Sequence, residues 1–503
     1  MNTTVTVALA IGAAVVLVAA VALRVADRLG LPSLLLYLAL GLALGESGLG
    51  VEFEDAELTQ NLGVAALVII LAEGGLTTRW SDVRRAIGPG ISLATIGVGV
   101  SVGVTAAITV WLLDASWGFA LLLAAVISST DAAAVFAALR RLPLPRRLAA
   151  SIEAESGLND APAILLVTAV AADIVGQESG PWWLVGIVVL LELVGGAAIG
   201  GLIGFGGAEL LRRVALPVAG FYPLAMLALS VLAFATASLA HTSGFVAVYL
   251  CGVVLGNAAL PHRSASIGFA EGMATLAQIG LFVLLGLLAS PPRLLDALGP
   301  ALVVGGALLL VARPLSVALS LVWFRIPWAQ QAFVSWAGLR GAVPIVLATI
   351  PMSVGLPGAE RIFDVVFLLV VLFTLVQGPT LPWVARRTGA AVDVRAHDVA
   401  IDSAPLDALD AILLQFEIPA GSRLAGVEIQ ELRLPRGAVV TLLLRGGELF
   451  MPSDRTVLHT GDQALIATDR AHHGVIEERL RRISDDGRLA QWYAALSGAR
   501  SEK

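Results

Sequence analysis

The stretch EAESGLNDAPAILLV, residues 153–167, sets Glu153, Glu155 and Asp160 in chain otherwise fit for hydrocarbon. A carboxylate at the centre of a bilayer costs roughly 2.5–3.5 kcal/mol on insertion scales, so acidic groups there mark a functional site. Ser156 and Asp160 are four residues apart and share one face of a helix, and Glu155 and Asn159 repeat that spacing on the adjacent stripe. Upstream, SSTDAAAVF (128–136) carries a second acidic dipeptide, Thr130-Asp131. Carboxylate and hydroxyl oxygens are what a desolvated monovalent cation needs, and a carboxylate also binds a proton. The combination points to exchange of a cation for a proton.

The rest of the chain supplies the membrane. Of 503 residues, 57% are hydrophobic and 14% charged, where a soluble protein carries about a quarter charged residues. Apolar runs of about 20 residues, each able to cross a ~30 Å hydrocarbon core, recur along the sequence. Thirteen spans are expected, near 5–23, 31–49, 60–76, 87–113, 117–138, 148–173, 181–211, 220–240, 243–260, 266–290, 297–323, 331–351 and 361–384. No basic residue precedes the first run, which argues for a retained helix with its N-terminus outside rather than a cleaved signal peptide. Arginines obey that orientation. Arg24, Arg28, Arg79, Arg84, Arg85, Arg140, Arg141, Arg146, Arg147, Arg212, Arg213, Arg263, Arg325, Arg386 and Arg387 fall on the inside, and only Arg293 and Arg361 on the outside. Cys251, the single cysteine, lies in an apolar run and reads as a packed, inert thiol.

After Arg387 the character changes. Residues 1–388 form the membrane domain, 389–408 a polar linker, 409–485 a small α/β domain on the cytoplasmic side, and 486–503 a tail. ILLQFEIPAG (412–421) reads as a strand into a turn, and LAGVEIQELRL (424–434) as a short amphipathic helix. AVVTLLLRGGELFMPS (438–453) reads as a hairpin around Gly446-Gly447, TVLHTGDQALIATD (456–469) as two strand pieces around Gly461-Asp462, and HGVIEERLRRI (473–483) as a closing helix. No GxGxxG is present, so no dinucleotide cofactor is expected.

Two spans carry breaks. Ser128 to Asp131 favour helix caps over interiors, and Gly338-Leu339-Arg340-Gly341-Ala342-Val343-Pro344 interrupts the twelfth span. Discontinuous helices at related positions in two halves of a chain mark the ion site of inverted-repeat transporters. Asp131 and Arg340 are suited to offset the dipole ends of such breaks. Arg313, in LLLVARPLSVAL (308–319), is a buried cation that makes sense when paired with Glu155.

TD in the fifth span, ESxxND in the sixth, ARP in the eleventh and GLRGAVP in the twelfth resemble the monovalent cation:proton antiporter family, in its NhaP-type branch with a C-terminal TrkA-C (RCK-C) domain. The resemblance implies an all-α membrane fold: a thirteen-helix bundle with inverted repeats, two broken crossing helices and a small cytoplasmic α/β RCK-C domain. It assigns cation and proton binding to Thr130 (backbone oxygen), Asp131, Ser156 and Asp160, and support to Glu155 and Asn159, with Arg313 bridging the glutamate; Arg340 joins the support set through the dipole argument above. It also implies a homodimer, elevator-type movement, and regulation by a nucleotide or cyclic dinucleotide at the RCK-C domain. The location implied is the bacterial plasma membrane. Ala132 and Ala161 depart from the proline that many relatives place after TD and ND. The alanine after TD resembles the potassium-preferring branch. With one ionisable group in Asn159-Asp160, exchange is expected to be electroneutral, potassium (or sodium) for a proton, one for one.

A sodium-selective antiporter is the alternative. A channel gated by an RCK domain lacks its TVGYG-like filter here, and an intramembrane aspartyl protease has no use for Glu155, Asn159 and a buried arginine. Neither catalytic residues nor a nucleic-acid partner are expected, and the histidines show no metal-ligand spacing. Glu73, Glu192, Glu209 and Glu271 receive no transport role.

Overall fold

The computed structural model describes residues 3–391, apart from 30–31, 47, 52, 54, 132–134, 136–141, 143, 177–181, 215 and 217, and residues 401–486, apart from 407–410, 420 and 470–471. The chain divides into two compact units, Met1–Val392 and Asp393–Lys503. Ala132, Arg140, Arg141, most of the expected linker and the tail beyond 486 lie outside the described residues.

The first unit is built of helices. Among its described residues, eight helices are long and apolar enough to cross a membrane and five are apolar but shorter, one for each of the thirteen predicted spans. The first three spans are α1 (Thr3–Leu29), α2 (Ser33–Leu44) and α3 (Ala56–Thr77). In the fourth, α4 (Trp80–Ser92) and α5 (Val98–Leu113) join through a π-helical turn at Leu93–Gly97. The fifth opens with α6 (Trp117–Ser128), which is followed by the non-helical Ser129, Thr130 and Asp131. The sixth comprises α7 (Arg146–Leu158) and α8 (Asp160–Ile174). Spans seven to ten are α9 (Trp182–Arg213), α10 (Phe221–Leu239), α11 (Gly244–Asn257) and α12 (Arg263–Leu288). The eleventh joins α13 (Pro291–Ala307) to α14 (Arg313–Leu321) through a second π turn, Leu308–Ala312. The twelfth is split into α15 (Trp328–Trp336) and α16 (Ala342–Ser353), and α17 (Ala359–Arg387) is the last. A π turn in the fourth span recurs in the eleventh, and the break of the fifth recurs in the twelfth.

One local expectation needs correction. The sixth span reads as continuous, yet its helix is interrupted at Asn159. Pro162 has no N–H to give the Leu158 carbonyl, so the ladder loses a rung there.

Close approach of backbones holds the bundle, as small residues allow between membrane helices. A Cβ on Gly75 of α3 would stand 2.4 Å from the Tyr249 carbonyl oxygen of α11, closer than real atoms come. Spans five, six, twelve and thirteen meet in a core in which Ile127, Ala163, Ile345 and Phe363 are fully buried. By contrast α9 turns Leu190, Leu191, Val194, Leu202 and Phe205 outward, a face suited to lipid.

The second unit is an antiparallel sheet in the order β1-β2-β5-β3-β4, with β1 at Ile401–Leu406, β2 at Ala411–Glu417, β3 at Val439–Arg445, β4 at Glu448–Phe450 and β5 at Gln463–Asp469. Gly446 and Gly447, both at positive φ (59° and 92°), turn β3 into β4. The closing helix α18 (His473–Asp486) puts Ile476, Leu480 and Ile483 into a core with Leu414, Phe416 and Ile466. Three details differ from the sequence reading. The helix expected over 424–434 shrinks to a 3-10 turn, Ile429–Leu432. The strand piece before Gly461 is a single bridge, Glu428 to Val457. Residues 401–406, expected as linker, pair with β2 from Ile401↔Phe416 to Leu406↔Ala411. An edge strand tolerates Pro405, because one side of it needs no partner.

Candidate cation site at two crossed helix breaks

The non-helical segments of spans five and twelve cross and complete each other. Asp131 N–H donates to the Leu339 carbonyl at 3.0 Å. The Ala342 N–H donates to Asp131 Oδ2 at 3.0 Å, so the carboxylate caps the positive N-terminal end of α16. In return, Arg340 Nη1 donates to the Ser128 carbonyl at 2.7 Å, a cation on the negative C-terminal end of α6. Both helix ends would be costly in hydrocarbon without a partner. Span thirteen supports the crossing: Thr374 Oγ1 donates to the Arg340 carbonyl at 3.3 Å and Gln377 Nε2 to the Trp336 carbonyl at 3.1 Å.

Span six lays its polar residues against the first break. Asn159 Nδ2 donates to Thr130 Oγ1 at 2.6 Å, and Thr130 Oγ1 and Ser156 Oγ are hydrogen-bonded at 2.9 Å. The Ser129 hydroxyl donates to Asp160 Oδ1. Asn159 Oδ1 is buried and has no hydrogen-bond partner among the described residues. Glu155 takes both Arg313 Nη1 and Nη2, the second at 2.9 Å, in a bidentate pair shielded from solvent. Asp160 is 2% exposed and, among the described residues, has no cationic partner. All eight residues singled out from the sequence, Thr130, Asp131, Glu155, Ser156, Asn159, Asp160, Arg313 and Arg340, are buried. Seven of them fall in three sets: Thr130, Ser156 and Asn159 are bonded together, Glu155 is paired with Arg313, and Asp131 and Arg340 each bond the opposite break. Asp160 enters through Ser129.

The family model described as "Sodium/hydrogen exchanger, transmembrane" matches residues 13–387. The chain belongs to the sodium/hydrogen exchanger family. It is therefore a multi-pass membrane transporter of the cation:proton antiport class, and not an enzyme. A TrkA-C domain matches residues 413–480. Among curated relatives, the K(+)/H(+) antiporter NhaP of Alkalimonas amylolytica is 37% identical over 90% of this chain and 79% of its own length. The K(+)/H(+) antiporter NhaP2 of Shewanella oneidensis is 36% identical over the same shares. The Na(+)/H(+) antiporter NhaS2 of Synechocystis is 30% identical over 74% of this chain and 69% of its own length. The solved sodium proton antiporter MjNhaP1 of Methanocaldococcus jannaschii, at pH 8, overlays with a TM-score of 0.68 at 22% identity, covering 76% of this chain and 99% of that one, a likeness of fold.

The structure adds residues that the sequence reading of this exchanger passed over. Ser129 is the donor to Asp160, and its place inside SSTD was the available signal. Gly341 and Gly338 flank Arg340 for steric reasons. A Cβ on Gly341 would overlap Asp131 Oδ2, at 1.7 Å, and one on Gly338 would press on Arg313 Nε at 2.9 Å. The unassigned acids fall elsewhere. Glu209 pairs with Arg213 at 2.7 Å on an exposed face, and Glu271 is exposed.

Proposed function

We propose that this antiporter moves potassium outward in exchange for protons, one for one, at the site made by Asp160, Asp131, Ser156 and the Thr130 carbonyl. One observation carries the reading. Of the two buried acids in the ESGLND run, Glu155 is neutralised by Arg313 while Asp160 holds, among the described residues, the Ser129 hydroxyl and no cation, and so is left for an ion. The partnerless Asn159 Oδ1 supports it, since a buried acceptor without a donor costs about 1–3 kcal/mol unless an ion or water meets it. Cation and proton compete for the one carboxylate, which makes the exchange electroneutral. Glu155, Asn159, Arg313 and Arg340 hold the site in shape.

Potassium is favoured over sodium by the names of the NhaP and NhaP2 relatives, K(+)/H(+) antiporters aligned over more of this chain than the sodium-named NhaS2. Alternating access by elevator-type movement, a homodimer in the bacterial plasma membrane, an external N-terminus and regulation by the TrkA-C domain complete the proposal. A nucleotide or cyclic dinucleotide is the regulatory ligand in this reading. The Arg445–Asp462 pair of that domain is satisfied internally, so recognition would fall to exposed residues.

The experiment is transport by the purified full chain in proteoliposomes with potassium, sodium and lithium. Asp160→Asn should abolish cation-driven proton movement with folding retained, and wild-type flux should ignore imposed membrane potential. Exchange retained by Asp160→Asn rejects the site. Flux driven by potential rejects the stoichiometry.

A further inference from the structure

A second group of charges, built around the buried Asp364, lies away from the crossed breaks, where α13 and α17 begin and α16 ends. The connection from α16 to α17 turns through Gly355 and Gly358, both at positive φ. With the first turns of α13 and α17 it walls a cavity of about 680 Å³. Five charged residues line it: Arg293 and Asp296 from α13, and Glu360, Arg361 and Asp364 from α17. Arg293 serves two carboxylates at once, with Nη1 2.8 Å from Glu360 Oε2 and Nε 3.3 Å from Asp364 Oδ2. Asp364 is 3% exposed, and its Oδ1 has no hydrogen-bond partner among the described residues. Asp296 and Arg361 form no ion pair among the described residues.

We infer that this cavity binds a monovalent alkali cation at Asp364 and Glu360, at a site separate from Asp160, with the Arg293 guanidinium as its tethered competitor. The charge count selects the ligand. Three carboxylates against two guanidinium groups leave one negative charge, which one monovalent ion balances. The atom without a partner is a carboxylate oxygen, an acceptor that a hard cation satisfies and an anion does not. The cavity is large enough to keep part of the ion's hydration shell. By the arginine bias these helix starts face outward, so the site would meet ions of the external medium.

Removing Arg293 and removing a carboxylate should therefore act in opposite directions, which loss of packing alone would not produce. The test is sodium NMR line broadening by purified full-length protein carrying Asp160→Asn, at constant ionic strength. Saturable broadening should persist. Adding Asp364→Asn should weaken the affinity by about tenfold or more, and Arg293→Gln should tighten it about threefold, as charge neighbours do. Glu360→Gln, at an exposed position that tolerates change, should weaken it several-fold if Asp364→Asn fails to fold. Absence of saturable broadening in the Asp160→Asn protein, no tightening with Arg293→Gln, or calcium displacing sodium at equal concentration overturns the inference. Exchange by the Asp160→Asn protein would sink the transport-site proposal and leave this one standing, so the two failures are distinguishable.

Discussion

Glu155 and Asp160 are two acids of one span, five residues apart, equally hidden from solvent and put to opposite uses. Glu155 is gripped by both terminal nitrogens of Arg313. Asp160 is touched by a serine hydroxyl and meets no cation among the described residues. A buried pair with good geometry is a structural fixture, because taking away one member leaves an uncompensated charge. A buried carboxylate without a counter-ion has to borrow one. The difference teaches that local charge balance, rather than burial, separates an ion-handling acid from an architectural one.

The largest expected effects exchange the fates of these residues. Asp160→Asn should remove exchange, by about a hundredfold or more, with the detergent-extracted protein still monodisperse on size exclusion. Glu155→Gln should instead lower stability by about 3–5 kcal/mol, seen as a fall in melting temperature, because Arg313 is left alone. The double change Glu155→Gln with Arg313→Met should recover much of that loss. The comparison breaks if Asp160→Asn unfolds the protein while Glu155→Gln is neutral.

Gly341→Ala comes next. Its new methyl would stand where the Asp131 carboxylate caps α16, so exchange should fall about tenfold or more in the same vesicle assay. Ser129→Ala tests the hydroxyl on Asp160 directly. A hydrogen bond to a charged group contributes about 1.5–3 kcal/mol, so apparent cation affinity should drop by about tenfold at the lower end of that range. Unchanged affinity would mean that the serine positions the break and not the acid.

The smallest effect belongs to the sheet domain, where Arg445 and Asp462 offer a paired counterpart outside the membrane. Burial pushes the Asp462 carboxyl up, but hydrogen bonds from Arg445 and the His459 amide, with the guanidinium charge, carry it below the usual carboxylate range. The hydrogen bond to Asp462 in turn raises Arg445. With the folded value depressed, the pair's stabilisation is complete above the unfolded carboxyl value of about 3.9 and fades as pH falls through the folded value. Hydrogen exchange of residues 413–480 in the full chain should stay protected from neutral pH down to about pH 5, and Asp462→Asn should remove the acid-dependent part of its loss.

Much of this was legible in the sequence because membrane chemistry is unforgiving. Apolar runs and arginine placement give the thirteen spans, and polar residues in lipid are rare enough for ESGLND and SSTD to stand out. The partnership of Glu155 with Arg313 follows from the need to neutralise both. Less legible were contacts that depend on the crossing. Nothing in GLRGAVP states that Gly341 must clear a carboxylate from another span, since that constraint exists only once the two breaks meet. The interruption at Asn159 turned on one missing N–H, at Pro162. In the second unit the strand at 401–406 was hidden by the polar run before it and by Pro405, which an edge position permits.

The central claim is that Asp160 holds either a proton or an alkali cation and never both. The direct measurement is proton release when potassium is added to the purified protein in weakly buffered detergent solution. Wild type should release one proton for each potassium ion bound at the transport site, with release vanishing in Asp160→Asn. Saturable potassium binding with no release from wild type, or the same release from Asp160→Asn, would contradict the account.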